Sequence, residues 1–476
     1  IRRQRQMCIR DSMDRGEFLK ILGVTAASTL LSGLPAKSET KDKVKQQSKS
    51  HSQEAVVNKP VTAIVIGAGS RGRTYAGYAG RYPKALTIVG VSDIQEKRKL
   101  AMAKQFNIPA EHQFGDWSEV FKHQKFADAV IISTPDDLHY QPCMKALEMG
   151  YDVLLEKPIA QTAQECYNIA AQARKYDRIV GVCHVLRYAP YFIALKKLID
   201  SGALGEVMSI QHFEPIAYHH MAHSYVRGNW HNSKKSTPII VAKSCHDLDL
   251  IRWMTGKKCV KISAFGNLNY FKLKNAPKGS ADRCLNCSVE AECPYSAIKI
   301  YMEQGRHIHV FDLPQDKAQQ KDYLIKKLKT TDYGKCVFRC DNDQCDHYVT
   351  NMQFEDGLTA SFNMEAFTSY EGRRTRIMGT KGDVVGDMTT FAHTDFLTGK
   401  RFVWNEDISD LPGYGGHGGG DWGIMKDFVL AVSNHDDKFL SSNINVSVES
   451  HVMGFWAEES RRSGKVIQIK ENNEKI

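Results

Sequence analysis

An α/β domain on a parallel sheet, followed by an α+β domain on a large, mainly antiparallel sheet, is the fold class that this 476-residue sequence predicts. Three observations carry it. Residues 61–72, VTAIVIGAGSRG, join an apolar run to Gly67-x-Gly69-x-x-Gly72. From there to about residue 185, apolar runs of strand length alternate with amphipathic helical stretches, as in a parallel sheet covered by helices on both faces. Beyond Ala189 that alternation ends, and segments of period two with Gly turns take over.

The first element sets the chemistry. Gly67 permits a tight turn, Gly69 lets backbone approach a pyrophosphate, and Gly72 lets the next helix pack on the strand. Ser70 and Arg71 stand at that helix's N-terminus, where free N–H groups and a partial positive charge receive phosphate. The helix ends before Pro83. A second strand, LTIVGVSD, ends in Asp93, 21 residues past Gly72. A carboxylate there bonds an adenosine ribose and repels a 2′-phosphate, so NAD is expected over NADP. The strand ADAVIIS follows, with Thr134, Pro135 and His139 at its end, then the helix QPCMKALEMG, stopped by Gly150. YDVLLEKP is a strand closed by Glu156, Lys157 and Pro158. AQECYNIAAQARKYD is a helix and RIVGVCHVLRY a further strand. In open parallel sheets ligands sit at the carboxyl ends of strands, which is where Thr134, Pro135, Glu156, Lys157 and His184 fall. The dinucleotide domain is expected over residues 60–187.

The second domain, 188–474, opens with the helix APYFIALKKLIDSGALG and the strand GEVMSIQHF. It continues with the helix KSCHDLDLIRWMTG, alternating segments through VTNMQFEDGLTASFNMEAF and RRTRIMGTKGDVVGD, two helices and a short strand, VIQIK. A helix pair is expected on one face of its sheet. An insertion over 270–347 carries six of the 12 cysteines: Cys284-x-x-Cys287-x5-Cys293-Pro, then Cys336-x3-Cys340-x4-Cys345. A structural zinc on Cys284, Cys287, Cys293 and Cys340, disulfides, and free thiols are all compatible with these spacings.

Residues 1–12, IRRQRQMCIRDS, read as a non-native leader ahead of Met13. Residues 13–36 pair a charged start with a 14-residue apolar run and a small-residue exit, the layout of an export signal. The run is too short for a stable membrane anchor. DRGEFLK is similar to a twin-arginine motif, with Gly16 in the second arginine's place. Residues 37–59, rich in Lys, Ser and Gln, read as a disordered linker. The chain is expected to be exported to the periplasm or outside a bacterial cell, or to stay cytoplasmic if the signal is degenerate. Residues 1–60 hold 12 Lys/Arg and 6 Asp/Glu, so +6 of the net +10 lies there and +4 remains for the folded body. No basic, aromatic-interleaved patch points to nucleic acid.

GAGSRG, the STPDDLH strand end and above all LLEKP resemble the Gfo/Idh/MocA oxidoreductases over nearly all of residues 60–470. The resemblance implies NAD chemistry on a secondary hydroxyl of a sugar, polyol or inositol-like molecule. It implies Lys157 as the residue beside the nicotinamide and the substrate hydroxyl, with Glu156 touching the ring or its ribose. It implies His246 as catalytic histidine and Asp249 as the following acid, while Ala242 stands where the family carries Asp. Arg187, His223, Arg227 and Trp230 are candidate substrate contacts, and His417, in a Gly-rich run, is a further one. Because free NAD is scarce outside the cytoplasm, an exported member is expected to hold its cofactor tightly. The alternative activity is an NAD-dependent glycosidase that oxidises, eliminates and re-reduces; a third reading is a binding or sensory relative without turnover. A homo-oligomer is the expected assembly.

Overall fold

The computed structural model describes residues 57, 59–405 and 417–469. The leader, the export segment and nearly all of the linker lie outside the described residues, as does part of the Gly-rich run before His417.

The first domain is a six-stranded, wholly parallel sheet: β1 (Val61–Ile66), β2 (Leu86–Ser92), β3 (Gln113–Phe114), β4 (Ala129–Ile132), β5 (Asp152–Leu155) and β6 (Val180–Val182), in the order β3-β2-β1-β4-β5-β6. Every side chain of β4 and β5 is buried, the signature of a strand covered on both faces. The covering helices are α1 (Ser70–Arg81), α2 (Glu96–Phe106), α3 (Tyr140–Glu148) and α4 (Ala163–Lys175). The order reverses between β1 and β4, which opens a crevice at their carboxyl ends. RIVGVCHVLRY makes a shorter strand than expected. After Val182 the chain leaves the sheet, and Val185–Tyr188 forms a 3₁₀ turn.

After α5 (Pro190–Asp200), the second domain builds a nine-stranded sheet from β7 (Val207–Pro215), β8 (Cys259–Asn267), β9 (His347–Phe354), β10 (Thr359–Glu365), β11 (Arg374–Gly379), β12 (Gly382–Gly386), β13 (Phe391–Asp395), β14 (Arg401–Trp404) and β15 (Ile467–Gln468), ordered β14-β13-β12-β11-β7-β10-β9-β8-β15. Only β7–β10 is parallel. The alternating burial of β9 and β10 shows one face packed and one open. The helices on the packed face are α6 (Cys245–Thr255) and α9 (Ile444–Ser463). The insertion between β8 and β9 contains α7 (Lys317–Thr330). The other C-terminal helix, α8 (Gly420–Asn434), returns to the first domain, where its Ile424, Met425, Phe428 and Val429 share a core with Val61, Val65 and Tyr75 of β1 and α1.

Candidate active site

The β1–α1 turn has the geometry its glycines imply. Gly67 has φ +93°, and a Cβ there would lie 2.7 Å from the Ser133 carbonyl oxygen. A Cβ on Gly72 would lie 2.0 Å from the Gly67 carbonyl oxygen, so helix and turn touch as closely as backbone allows. At Gly69 a Cβ would meet only an Arg98 nitrogen at 3.9 Å. Gly69 also caps α1 with no side-chain bond to the helix, which leaves the N–H groups of the first turn facing the crevice. Asp93, just past β2, accepts hydrogen bonds from the Ala68 and Gln95 N–H groups, both at 2.7 Å. Open space over Gly69, free helix donors and a carboxylate beyond β2 fit an adenine dinucleotide.

The crevice opens into a cleft of about 730 Å³ between the domains. Gly69, Ser70, Arg71, Thr134 and Pro135 form one wall; His220, His223, Trp230, Lys243, Arg373 and His417 contribute to the other. Lys157, just past β5, lies behind the cleft's Trp230. Its Nζ donates to the Ala242 carbonyl oxygen at 2.9 Å and lies 5.9 Å from the centre of the Trp230 ring. The Lys157–Pro158 peptide is cis. The carboxylate missing at residue 242 is thus replaced, as a partner for Lys157, by that residue's own backbone oxygen. Lys243 does not substitute for it and pairs with Glu214 at 3.1 Å.

His246 sits one residue into α6 and is buried, its ring 5.7 Å from His417 and 6.0 Å from His184. Burial first, then the charges of Lys157, His417, His184 and Arg373, hold its imidazole well below the usual histidine range. It is neutral at pH 7, and its Nδ1 has no hydrogen-bond partner. Its unpartnered Nδ1 is placed to accept a hydrogen bond from a hydroxyl, while the nearby positive charges weaken it as a base.

Several expected contacts take other roles. Glu156 does not face the cleft. It accepts from Arg71 Nε at 2.7 Å and from the Tyr75 hydroxyl at 2.6 Å. Burial pushes its carboxyl up, but Arg71, Lys157 and Tyr75 outweigh that and hold it below the usual range. Arg71 also grips Asp421, at the start of α8, through two bonds of 2.7 and 3.2 Å, and Asp421 meets His417 Nδ1 at 3.1 Å. His139 is buried, with Nδ1 2.6 Å from the Pro158 carbonyl oxygen and Nε2 2.9 Å from that of Thr134, so it ties two strand ends together. Arg187 and Asp249 do not line the cleft. They close on each other through two 2.6 Å bonds, both buried, with Ser450 on the same carboxylate. Arg227 likewise turns away from the cleft and donates to the carbonyl oxygens of Lys335 and Tyr295, both at 2.7 Å, and to Cys284 Sγ at 3.6 Å. His223 and Trp230 do line the cleft; Trp230 Nε1 donates to Asp136 at 3.0 Å.

The structure draws the described cysteines as free thiols, and among the described residues no three His, Cys, Asp or Glu side chains form a metal's ligand set. Cys284, Cys287, Cys293 and Cys336 gather around one small pocket, whereas Cys340 points its thiol at the Cys336 carbonyl oxygen. The ligand set expected for zinc is therefore not assembled. Two wall residues, Arg373 and His307, carry no sequence signal of their own. Arg373 is drawn in by Glu214 at 2.7 Å and Asp247 at 3.0 Å, and His307 comes from the insertion. Only their three-dimensional neighbours reveal them.

Residues 61–184 match the model of an oxidoreductase family described as an NAD-binding Rossmann fold, and residues 196–414 match that family's C-terminal alpha/beta domain. The putative oxidoreductase YteT of Bacillus subtilis is 27% identical over 371 residues, which span 74% of this chain and 83% of YteT. Inositol 2-dehydrogenase 1 of Saccharopolyspora erythraea is 26% identical over 206 residues, 42% of this chain and 56% of that protein. Among solved structures, scyllo-inositol dehydrogenase from Lactobacillus casei with bound NAD(H) and scyllo-inositol superposes with a TM-score of 0.59 at 17% identity, covering 86% of this chain and 99% of that one. An oxidoreductase domain protein from Kribbella flavida gives 0.63 at 17% identity, over 87% and 100%. At such identities the solved structures speak for the fold.

Proposed function

Because the chain belongs to the Gfo/Idh/MocA oxidoreductase family, both of whose domain models it matches, we propose that it oxidises a secondary hydroxyl of a polyol, inositol-like or sugar substrate with tightly held NAD. One observation carries the reading. Lys157 lies against Trp230, and the neutral His246 against His417, directly behind two residues that line the cleft whose wall is the dinucleotide turn. Gly69, the α1 N-terminus and Asp93 would hold the dinucleotide, which supplies a hydride acceptor when bound.

The chain's own residues orient the hydroxyl and move its proton. Lys157, fixed by the Ala242 carbonyl oxygen, places an N–H donor at the end of β5, where it polarises the hydroxyl oxygen. His246, neutral and buried with Nδ1 unpartnered, accepts a hydrogen bond from the hydroxyl as the proton passes on. His417 stands between that ring and the cleft, with Asp421 on its Nδ1, and offers a route for the proton to leave. The indole face of Trp230 and the rim of imidazoles and ion-paired arginines suit a ligand with C–H faces and many hydroxyls. Export remains part of the proposal, since an enzyme outside the cytoplasm must carry its nucleotide with it.

Protein incubated with NAD and a panel of inositols, alditols and sugars is expected to build absorbance in the reduced-nicotinamide band. Lys157→Met should lower kcat by about 10²–10⁴-fold while leaving NAD binding measurable by calorimetry. Calorimetry on cofactor-stripped protein showing no NAD uptake would sink the assignment. Aglycone release from glycosides without net reduction would replace oxidation by redox-neutral cleavage.

A further inference from the structure

The insertion between β8 and β9 does more than decorate the second domain. Its residues 306–312 cross the interdomain cleft and reach α2, the helix that follows Asp93. Arg98 of α2 donates to one Asp312 oxygen through Nε at 3.1 Å and Nη2 at 2.8 Å, and Lys97 Nζ donates to the Asp312 carbonyl oxygen at 2.9 Å. The cleft beneath is lined by Gly69, Ser70 and Arg73 on one side and by His307, His309 and Val310 on the other. The segment therefore forms the second wall of the groove that begins at the dinucleotide turn.

The segment is held at both ends. His307 stacks on His223, with ring centres 4.4 Å apart and planes 7° from parallel, and its Nε2 lies 3.1 Å from His219 Nδ1. Phe311 is buried edge-on against Tyr301 and Tyr333, at 5.2 and 5.3 Å. Between these anchors the chain makes a 3₁₀ turn, Ile308–Phe311, entered and left through left-handed residues, His307 at φ 56° and Asp312 at φ 47°. Left-handed backbone at two non-glycine residues is costly and persists where surrounding contacts fix it. Here those contacts belong to the substrate wall at one end and to the first domain at the other.

We propose that residues 306–312 are a strap over the adenosine–pyrophosphate half of a bound dinucleotide, latched by Asp312 to Arg98 and Lys97, so that the cofactor leaves only when the latch opens. This rests on the NAD reading above and adds an element to it. The turn and Asp93 choose the ligand, and the strap sets how long it stays. The latch is an ion pair with each side chain about 30% exposed, so salt screens it. His309, exposed in the groove beside Arg73, places a ring within reach of the ribose or phosphates.

The test is the release rate of NADH, followed by the fluorescence of preloaded protein chased with excess NAD, at low and high salt. Asp312→Asn is expected to speed release roughly fivefold and to abolish most of its salt dependence. The swap Arg98→Asp with Asp312→Arg is expected to bring release back towards the wild-type rate. Thermal midpoints of the unloaded proteins show whether each variant folds. Wild-type and Asp312→Asn proteins that bind NADH and release it at equal rates, with equal salt dependence, overturn the strap alone. A folded swap variant that releases as fast as Asp312→Asn overturns the ion-pair latch. No uptake of either nucleotide by cofactor-stripped wild-type protein overturns the NAD reading and the strap with it.

Discussion

Gly69 and Gly72 are three residues apart, yet the structure gives them separable jobs. Gly69 has φ −70°, backbone that any residue adopts, and a Cβ there meets almost nothing. Gly69→Ala is therefore expected to leave the thermal midpoint within a degree or two and to weaken NAD binding tenfold or more, because the added methyl occupies the space a pyrophosphate needs. Gly72→Ala puts a Cβ 2.0 Å from the Gly67 carbonyl oxygen, so α1 must shift away from β1. That change should cost about 2–4 kcal/mol of stability, read from denaturant unfolding, before any ligand is added. Equal loss of stability in both variants would show that the glycine at 69 serves the fold rather than a ligand. Lys157 shows the limit of a motif at this scale. The EKP run marked the lysine, but its partner is a backbone oxygen, and no side chain in the sequence could announce that.

At the scale of elements, regular pieces were legible and the connections between them were not. β1, β2, β4 and β5 follow their apolar runs, and α3 and α4 follow their 3.6-residue periodicity, because burial on one or both faces is written into residue order. Strands β13 and β14 carried no expectation; each is short and lies towards the sheet edge, where less of the pattern is forced. Arg227 illustrates the harder case. In YHHMAHSYVRGNW it reads as a cleft residue, but it lies in the π-helical stretch Met221–Arg227, whose altered residue spacing turns its guanidinium into the insertion. There it holds the carbonyl oxygens of Lys335 and Tyr295 and the Cys284 thiol. Arg227→Met should cost about 2–4 kcal/mol by leaving those oxygens unpaired. The loss should be local, seen as faster amide exchange over 284–340 with β1–β6 unchanged. Uniform exchange across both domains would instead make the insertion part of a single cooperative unit.

The whole molecule is two sheets sewn together along one seam, and the seam is rich in neutral histidines. Arg71 bridges β5 to α8, α9 packs between α4 and β8, and Arg187–Asp249 locks the exit of β6 to α6. His184, His246 and His451 fill the space between, with His184 Nε2 3.2 Å from His451 Nδ1. Burial lowers His184 to about 4, and holds His246 and His451 well below the ordinary range. In the unfolded chain each takes a proton near pH 6.5. Between that pH and about 4 the unfolded state therefore binds more protons than the folded one, so stability is full above pH 6.5 and falls as pH drops through the window. Asp427, pushed up to about 6 by burial, and the raised Asp136 and Asp152 work in the opposite direction, but they are outnumbered by the lowered histidines, among them His220 at about 4 and His307 at about 3. For His184 alone the shift corresponds to on the order of 3 kcal/mol. Most paired carboxylates in the fold, Glu156 and Asp421 among them, are held below their usual range and contribute only at lower pH, so the histidines dominate the window. Calorimetric midpoints are expected to hold steady from pH 8 to 7 and then drop steeply by pH 5. His184→Asn, which cannot take up the proton, should make that drop shallower; a midpoint unchanged between pH 7 and 5 in the wild-type protein would mean that the seam tolerates imidazolium.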